Sequence, residues 1–412
     1  MTTMFPLLQQ DLGVPDTLAL LVGENPLPNY VAAQLIAGPQ TKIWLFYSDG
    51  TTEEMQTLRR MLAAKEFAQI ESAQLHESNP DKIRMEVSNK LSHANGTNHI
   101  HYTGGTKAMA VHAMRACSDR PIFSSYLDAR HLKLWVEGPG ITGVHVINNV
   151  GLHVPVTIRE VLDLHNIGIL GDLRSTPLWP TAHTALAHIH ADQTEAKGWR
   201  DWCKKTLRRP DPDQHKFLAN GKLNALETED IPIAVRQALA NDIKTILPKT
   251  FGELCKLAPK GTGVKKGEDL ARWFDGGWME DYTLAQLHGS TAARQINDTA
   301  ISINAILESG SSETFEFDVA AMHGYRLFAI SCTTSDDKKL CKSKLLEAVV
   351  RARQLGGAEA RIGLVCCSDD PQVLEEQVQK LTQSQQLKVF GRADLLNLGE
   401  QLDQWITHVN EE

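Results

Sequence analysis

The stretch His101-Tyr102-Thr103-Gly104-Gly105-Thr106-Lys107 stands between an apolar run, His99–Tyr102, and a helical pattern, Thr106–Cys117. Paired glycines at such a joint let the backbone approach a ligand closely, and the first turn of the helix offers unpaired N–H groups to an anion. Thr103 and Thr106 add hydroxyls and Lys107 adds positive charge, so the turn reads as a phosphate site more than as a plain strand-to-helix turn. It is neither GxxxxGK[ST] nor GxGxxG, which argues against a P-loop enzyme and a nucleotide-cofactor dehydrogenase. Outward from this turn the same alternation repeats. Strands are expected at Thr17–Val22, Lys42–Tyr47, Gln69–Leu75, Ile122–Leu127 and His131–Val136, and helices near Tyr30–Ile36, Thr52–Lys65 and Pro80–Ser92. Strand and helix in alternation imply an α/β, Rossmann-like domain with a mainly parallel sheet. Ligands of such sheets bind beyond the carboxyl ends of the strands. Two further loops, Val22-Gly23-Glu24-Asn25-Pro26-Leu27-Pro28-Asn29 and Ser48-Asp49-Gly50-Thr51-Thr52, emerge at that edge.

The T-G-G-T-K turn, the G-x-N-P-L-P-N loop and the strand end Tyr126-Leu127-Asp128 resemble the CARF domains of type III CRISPR ancillary nucleases. The resemblance continues through the C-terminal half and is weakest in the middle. It implies a cyclic oligoadenylate ligand, usually cyclic tetra-adenylate, bound across the two-fold axis of a homodimer. On that basis Thr103, Gly104, Gly105, Thr106 and Lys107 hold phosphate and ribose, while Gly23, Asn25, Ser48, Asp49 and Thr51 line the pocket. A two-fold ligand in an isologous dimer is physically sensible.

Residues 151–262 read as a connecting region, with an amphipathic helix over His183–Leu207 and a charged, proline-broken turn at Arg208-Arg209-Pro210-Asp211-Pro212-Asp213. From 263 to 412 the pattern restarts. It gives a helix around Arg272–Leu287, β-type runs at Thr299–Leu307, Thr314–Met322 and Tyr325–Thr333, a helix Lys338–Leu355, and a strand Arg361–Cys366. This is the layout of an α/β/α sandwich. Hydrolysis of a phosphodiester requires stabilisation of charge on phosphorus and an activated water, tasks that suit Mn²⁺ or Mg²⁺ held by carboxylates. Glu280 after Gly276-Gly277, and Asp318 in Phe315-Glu316-Phe317-Asp318-Val319, resemble the first-helix Glu and the hairpin Asp of PD-(D/E)XK nucleases, the restriction-endonuclease-like fold.

If His323-Gly324 is the turn of the hairpin, Met322 faces Tyr325, Glu316 faces Ser331 and Asp318 faces Ala329, so Glu316, Asp318, Ser331 and Thr333 share one face. The chain departs from the family pattern on the next strand, where Ser331-Cys332-Thr333 replaces E-x-K. A following helix offers substitutes. Lys344, Glu347 and Arg351 fall on one stripe, with Lys342 nearby. The expected site therefore has Asp318 as principal metal ligand, assisted by Glu280 and Glu347. Lys342 or Lys344 orients water or stabilises charge, and Glu316 joins the catalytic face.

A formal net charge of −8, taken as an average, opposes a nucleic-acid function, but the charge is unevenly spread. Residues 338–361 carry seven Lys/Arg against two Glu, and 197–222 carry eight against three Asp, whereas 369–412 hold nine acids against three bases. Two basic stretches beside a carboxylate group suit a reader of phosphate backbone, on DNA or RNA, with little sequence preference. Seven cysteines without CxxC spacing fit a reducing cytoplasm, and no run is long and apolar enough for a membrane span. The N-terminal MTTMFPLLQQDLG lacks the pattern of a signal peptide. The leading expectation is a metal-dependent nuclease switched on by cyclic tetra-adenylate. Two others stand beside it: a ligand-binding regulator whose nuclease half is dead, and a ring nuclease degrading its own ligand.

Overall fold

Thr17–Leu21 (β1) is buried along its whole length, as a strand covered on both faces must be. The structure is a computed structural model that describes residues 13–67, 69–92, 96–210, 216–307 and 314–411. Around β1 lie Lys42–Tyr47 (β2), Gln69–Gln74 (β3), Asn98–His101 (β4) and Ile122–Asp128 (β5), all parallel. Lys133–Glu137 (β6) and His145–Ile147 (β7) extend the edge antiparallel, giving the order β3-β2-β1-β4-β5-β6-β7. Leu27–Ile36 (α1) and Thr52–Ala63 (α2) cover one face through Tyr30, Leu35, Leu58 and Leu62. Pro80–Ser92 (α3) and Lys107–Ala116 (α4) cover the other through Ile83, Val87, Met109 and Ala113. Strand order reverses between β1 and β4, so the loops leaving those two strands flank one crevice.

The second sheet has the order β13-β12-β11-β10-β9-β8. Its strands are Ile167–Ile169 (β8), Asp298–Leu307 (β9), Thr314–His323 (β10), Arg326–Thr333 (β11), Arg361–Cys366 (β12) and Leu387–Phe390 (β13). Strands β8 to β11 pair antiparallel and β11 to β13 parallel. The stretch read as connecting is built into this half. It supplies β8 and the helices Ile158–Leu164 (α5), Pro180–Ala191 (α6), Gln193–Leu207 (α7), Asn220–Asn224 (α8), Ile233–Ile243 (α9) and Phe251–Leu257 (α10). Then follow Gly267–Arg272 (α11), Trp278–Gly289 (α12), Lys338–Gly356 (α13), Pro371–Thr382 (α14) and Leu398–Glu411 (α15). Helices α6, α12 and α15 cover one sheet face. Helices α13 and α14 cover the other, within a core that runs without a break into the first sheet through Leu132, Val150 and Val161. The architecture is α/β throughout: a Rossmann-like sheet followed by an α/β/α, restriction-endonuclease-like sandwich.

Helix α13 shows how sequence sets this arrangement. Asp337 caps it by accepting from the Leu340 N–H at 2.8 Å, and Cys341, Leu345, Val349, Ala352 and Leu355 form one buried stripe. Truncating a core leucine such as Leu345 to alanine costs about 2–5 kcal/mol. That stripe fixes the rotation of the helix and so the direction of Lys344.

Several expectations are corrected. The helix expected over His183–Leu207 is two helices, because Asp192 leaves helical geometry and caps α7 by accepting from Thr194 and Glu195. The helix expected over Arg272–Leu287 is interrupted by a π-turn at Trp273–Gly277 that holds both glycines. The hairpin turn is Gly324-Tyr325, flanked by the pair His323↔Arg326, so Ala329 faces Ala320 rather than Asp318. Gly324 takes φ +61 there, with Gly151 packed where a side chain would stand. Of the proline-broken turn, Asp211, Pro212 and Asp213 lie outside the described residues, as does the N-terminal stretch 1–12.

Candidate functional site

Two elements, one strand and one helix, bring three acids together. Glu280 sits in the first turn of α12, directly after the π-turn, while Glu316 and Asp318 project from β10 toward it. Ligand oxygens of the three carboxylates lie within 4.8 Å of one another. They face a cleft of about 650 Å³ that is also lined by Arg174, Arg208, Arg272 and Lys344. Asp318 is held from behind: it accepts from the Ser331 hydroxyl at 2.8 Å and from the Cys332 N–H at 2.6 Å. Lys344 of α13 reaches over the sheet edge to the Cys332 carbonyl at 3.1 Å and stands 3.5 Å from Asp318.

Electrostatics report the crowding. Enclosure in the cleft, then the charge of Asp318, pushes the Glu280 carboxyl well above its ordinary value. Desolvation and Asp318 raise Glu316 as well. Burial alone would lower the Lys344 ammonium, but the charge and hydrogen bond of Asp318, with contributions from Cys332 and Glu280, together raise it. Three hard oxygen donors that repel one another are what a divalent cation would relieve, so the donor set fits Mn²⁺ or Mg²⁺.

The residues expected at this site are distributed as follows. Glu280, Glu316, Asp318 and Lys344 come together. Glu347 is not among the clustered carboxylates: exposed on α13, it shares a smaller pocket with Glu316, Asp318, Lys344 and Ser331, and Glu316 is the third member of the cluster. Lys342 lies about 200° around α13 from Lys344 and is not part of the cleft wall. Ser331 and Thr333, in the place of E-x-K, supply hydroxyls and no charge.

Sequence reasoning missed the supports. Ser302 of β9 donates to Glu280 at 2.5 Å and takes φ +52 in the middle of its strand, a left-handed conformation costly for a residue with a side chain. Nothing in the sequence marks it. Behind Glu280, Asp281 is fully buried, ion-paired with Arg174, and accepts from the Leu178 N–H at 2.7 Å and Trp273 Nε1 at 2.8 Å. Arg174 belongs to the stretch read as connecting, and only the fold brings it here.

At the first sheet, the β1 and β4 loops touch. A side chain on Gly104 would place its Cβ 2.2 Å from the Leu21 carbonyl, and one on Gly23 would meet the Gly105 nitrogen at 2.9 Å. Asn29, fully buried, donates to the Leu21 carbonyl at 2.8 Å and braces this contact. Thr103 accepts from the Leu127 N–H at 2.7 Å. Thr106 caps α4 by accepting from Met109, and donates to the Glu77 carbonyl at 2.6 Å. Lys107 is exposed at the start of α4. On the neighbouring loop Ser48 and Thr51 cap one another and are buried, while Asp49 accepts from Gln74.

Asn25 is placed differently from the expectation. Its Oδ1 caps the Leu27 N–H at 3.0 Å, and its amide nitrogen packs against Gly357 at the end of α13. It stands at the junction of the two halves because the Pro26-Leu27-Pro28 sequence starts α1 immediately and turns the loop toward α13.

Residues 267–409 match the family model described as Card1-like, endonuclease domain. The C-terminal part is thus similar to Card1-like endonuclease domains. No curated protein matches the chain by sequence. By structure, it is similar to Can2 from Sulfobacillus thermosulfidooxidans in complex with cyclic tetra-adenylate, at 17% identity and TM-score 0.64, over 95% of this chain and 99% of that one. It is similar to protein VC1899 from Vibrio cholerae at 14% identity and TM-score 0.65, over 96% and 100%. A type III CRISPR defence DNA nuclease activated by cyclic oligoadenylate matches at 14% identity and TM-score 0.51, over 85% of this chain and 45% of that one. The chain shares the two-part α/β architecture of these structures.

Proposed function

We propose that the protein is a divalent-metal-dependent nuclease of type III CRISPR defence, switched on by cyclic tetra-adenylate bound at the β1–β4 crevice of a homodimer in the cytoplasm. The observation that carries the reading is the meeting of Glu280, Glu316 and Asp318 with Lys344 in one cleft, also lined by Arg208 and Arg272, of a domain that matches an endonuclease family. Bound there, Mn²⁺ or Mg²⁺ supplies a lowered pKa for attacking water and charge stabilisation at phosphorus. Asp318, fixed by two hydrogen bonds, and Glu280, fixed by Ser302, hold the ion with Glu316 beside them. Lys344 stays protonated against Asp318 and is placed to orient water or offset phosphate charge. The arginines of the cleft contact phosphates irrespective of base, which favours DNA or RNA cleavage with little sequence preference.

Two contacts between the halves support coupling of ligand and chemistry. The Asn25 amide touches the end of the helix that carries Lys344, and Arg326, at the turn of the hairpin bearing Glu316 and Asp318, donates to the Ala129 carbonyl at 3.4 Å. A ligand with different affinity for two settings of these contacts shifts their populations. Among the described residues no helix is long and apolar enough to cross a membrane.

The test is cleavage of supercoiled DNA and single-stranded RNA in Mn²⁺, with and without cyclic tetra-adenylate. Ligand-dependent cutting that EDTA and Asp318→Ala both abolish is expected. No cutting under any condition would favour the ligand-binding regulator, and conversion of the cyclic ligand to linear products would favour the ring nuclease.

A further inference from the structure

One element of the cleft wall is unused by this chemistry. Phe217 lies in the helical insert, outside the family-matched residues 267–409, yet lines the same cleft as the three acids. It is positioned by a short antiparallel pairing at the end of α7: Phe217 bridges Arg208, Leu218 N–H donates to Leu207 at 2.9 Å, and Arg209 Nε donates to the Phe217 carbonyl at 3.1 Å. Two guanidiniums flank the ring, Arg208 with Cζ 5.0 Å from its centroid and Arg272 at 5.5 Å.

The two arginines are not equivalent. Arg208 is ion-paired with Asp275 of the π-turn and its side chain is 22% exposed. Arg272 reaches Glu268 at 2.8 Å with its side chain 65% exposed, a loose cover that an incoming flat group can displace. A half-buried phenyl ring set between guanidiniums in the wall of this cleft is chemically a seat for a nucleobase. Rings and guanidinium planes both stack on bases, and the cations that frame them pair with the flanking phosphates. A base inside a duplex offers no free face, so the seat takes an unpaired base.

We propose that Phe217, between Arg208 and Arg272, is the platform on which an unpaired base of the substrate stacks while its neighbouring phosphate enters the carboxylate cluster. The proposal rests on the nuclease reading and adds a positioning residue to it. Phe217 takes no part in bond cleavage. It sets which phosphate reaches the acids, and it acts on bases of any identity because each presents a π-face.

The test uses the full chain in an Asp318→Asn background, saturated with cyclic tetra-adenylate, binding labelled single-stranded oligonucleotides. Phe217→Leu keeps apolar packing but cannot stack, and is expected to weaken binding about tenfold. Phe217→Trp is expected to retain it. An abasic site walked along the oligonucleotide should, at one position, weaken the Phe217 protein as much as Phe217→Leu does and leave the Phe217→Leu variant unaffected. Arg272→Ala should instead lower the salt dependence of binding by about one phosphate contact. Equal binding by the Phe217 protein and its Phe217→Leu variant, with similar melting temperatures, overturns the platform while leaving the nuclease reading intact. An abasic penalty that persists in the Phe217→Leu variant does the same. No oligonucleotide binding by either protein, with no cleavage by the wild type, overturns both.

Discussion

Glu280→Gln should stabilise the metal-free protein and weaken the metal-loaded one. Its carboxylate shares a 4.8 Å cluster with Glu316 and Asp318. Two full charges at that separation, at an effective dielectric near 20, repel by about 3.5 kcal/mol. The folded protein relieves part of this by keeping a proton on Glu280, whose carboxyl is pushed well up by enclosure and by Asp318. An acid raised in the folded state binds a proton that the unfolded chain has already released. Stability therefore falls as pH climbs from the ordinary carboxylate range, near 4.3, toward the folded value, at about 1.4 kcal/mol per unit. Gln removes the charge and keeps an oxygen for Ser302. In EDTA at pH 8 the variant should be more stable by about 1–3 kcal/mol, after discounting for the proton, and the difference should shrink toward pH 5. In Mn²⁺ at 100 times its dissociation constant, the wild type gains about 2.7 kcal/mol and the variant, short of one ligand, much less. Urea unfolding in EDTA and in Mn²⁺ at both pH values reads all four states. A variant less stable than wild type in EDTA at pH 8, or an equal Mn²⁺ gain in both proteins, would refute the reasoning.

Other perturbations separate the remaining assignments. Lys344→Ala should slow cleavage by about 10²–10³-fold while Lys342→Ala stays near wild type, since only Lys344 reaches Asp318; equal effects in a plasmid-nicking assay would undo the distinction. Ser302→Gly frees a backbone held at φ +52, so its melting temperature in EDTA should not fall, yet calorimetric titration should show Mn²⁺ binding weakened about tenfold through the lost hydrogen bond to Glu280. A loss of stability matching the loss of affinity would count against a positioning role. Gly104→Ala drives a methyl into the Leu21 carbonyl, and should destabilise the fold by about 1–3 kcal/mol and abolish cyclic tetra-adenylate binding; unchanged ligand affinity would move the ligand away from the β1–β4 crevice.

What the sequence discloses follows from what repeats within it. The strands β1 to β6 and the helices α1 to α4 are legible because each carries four or more residues of clear pattern between turn-forming residues. By contrast β7 and β8 hold three residues each, too few for alternation to stand out. The hairpin is legible in face but not in register: a two-residue displacement leaves Glu316, Asp318, Ser331 and Thr333 on one side because side chains alternate with period two. Helical spacing groups Lys344 with Glu347, yet does not say which of them meets β10, since that depends on how the Leu345 stripe beds on the sheet. Arg174, Ser302 and Phe217 carry no local signature at all. They reach the cleft through sheet pairing and helix packing between segments far apart in the chain.

The unbroken core between the two sheets bears on how the molecule comes apart. Leu18 and Leu45 of the first sheet belong to the same buried cluster as Phe317, Leu345 and Val378 of the second half, and α5 packs on α2 on one side and on β8, β9 and β10 on the other. A seam of that kind has no water-filled plane along which the halves can separate, so they should lose structure together in a single thermal transition. Severing the chain near residue 150 would then release two fragments, each with a greasy face where its partner had been. On the proposed reading, a messenger bound on the first sheet would act on the second through this shared core, with no hinge between them.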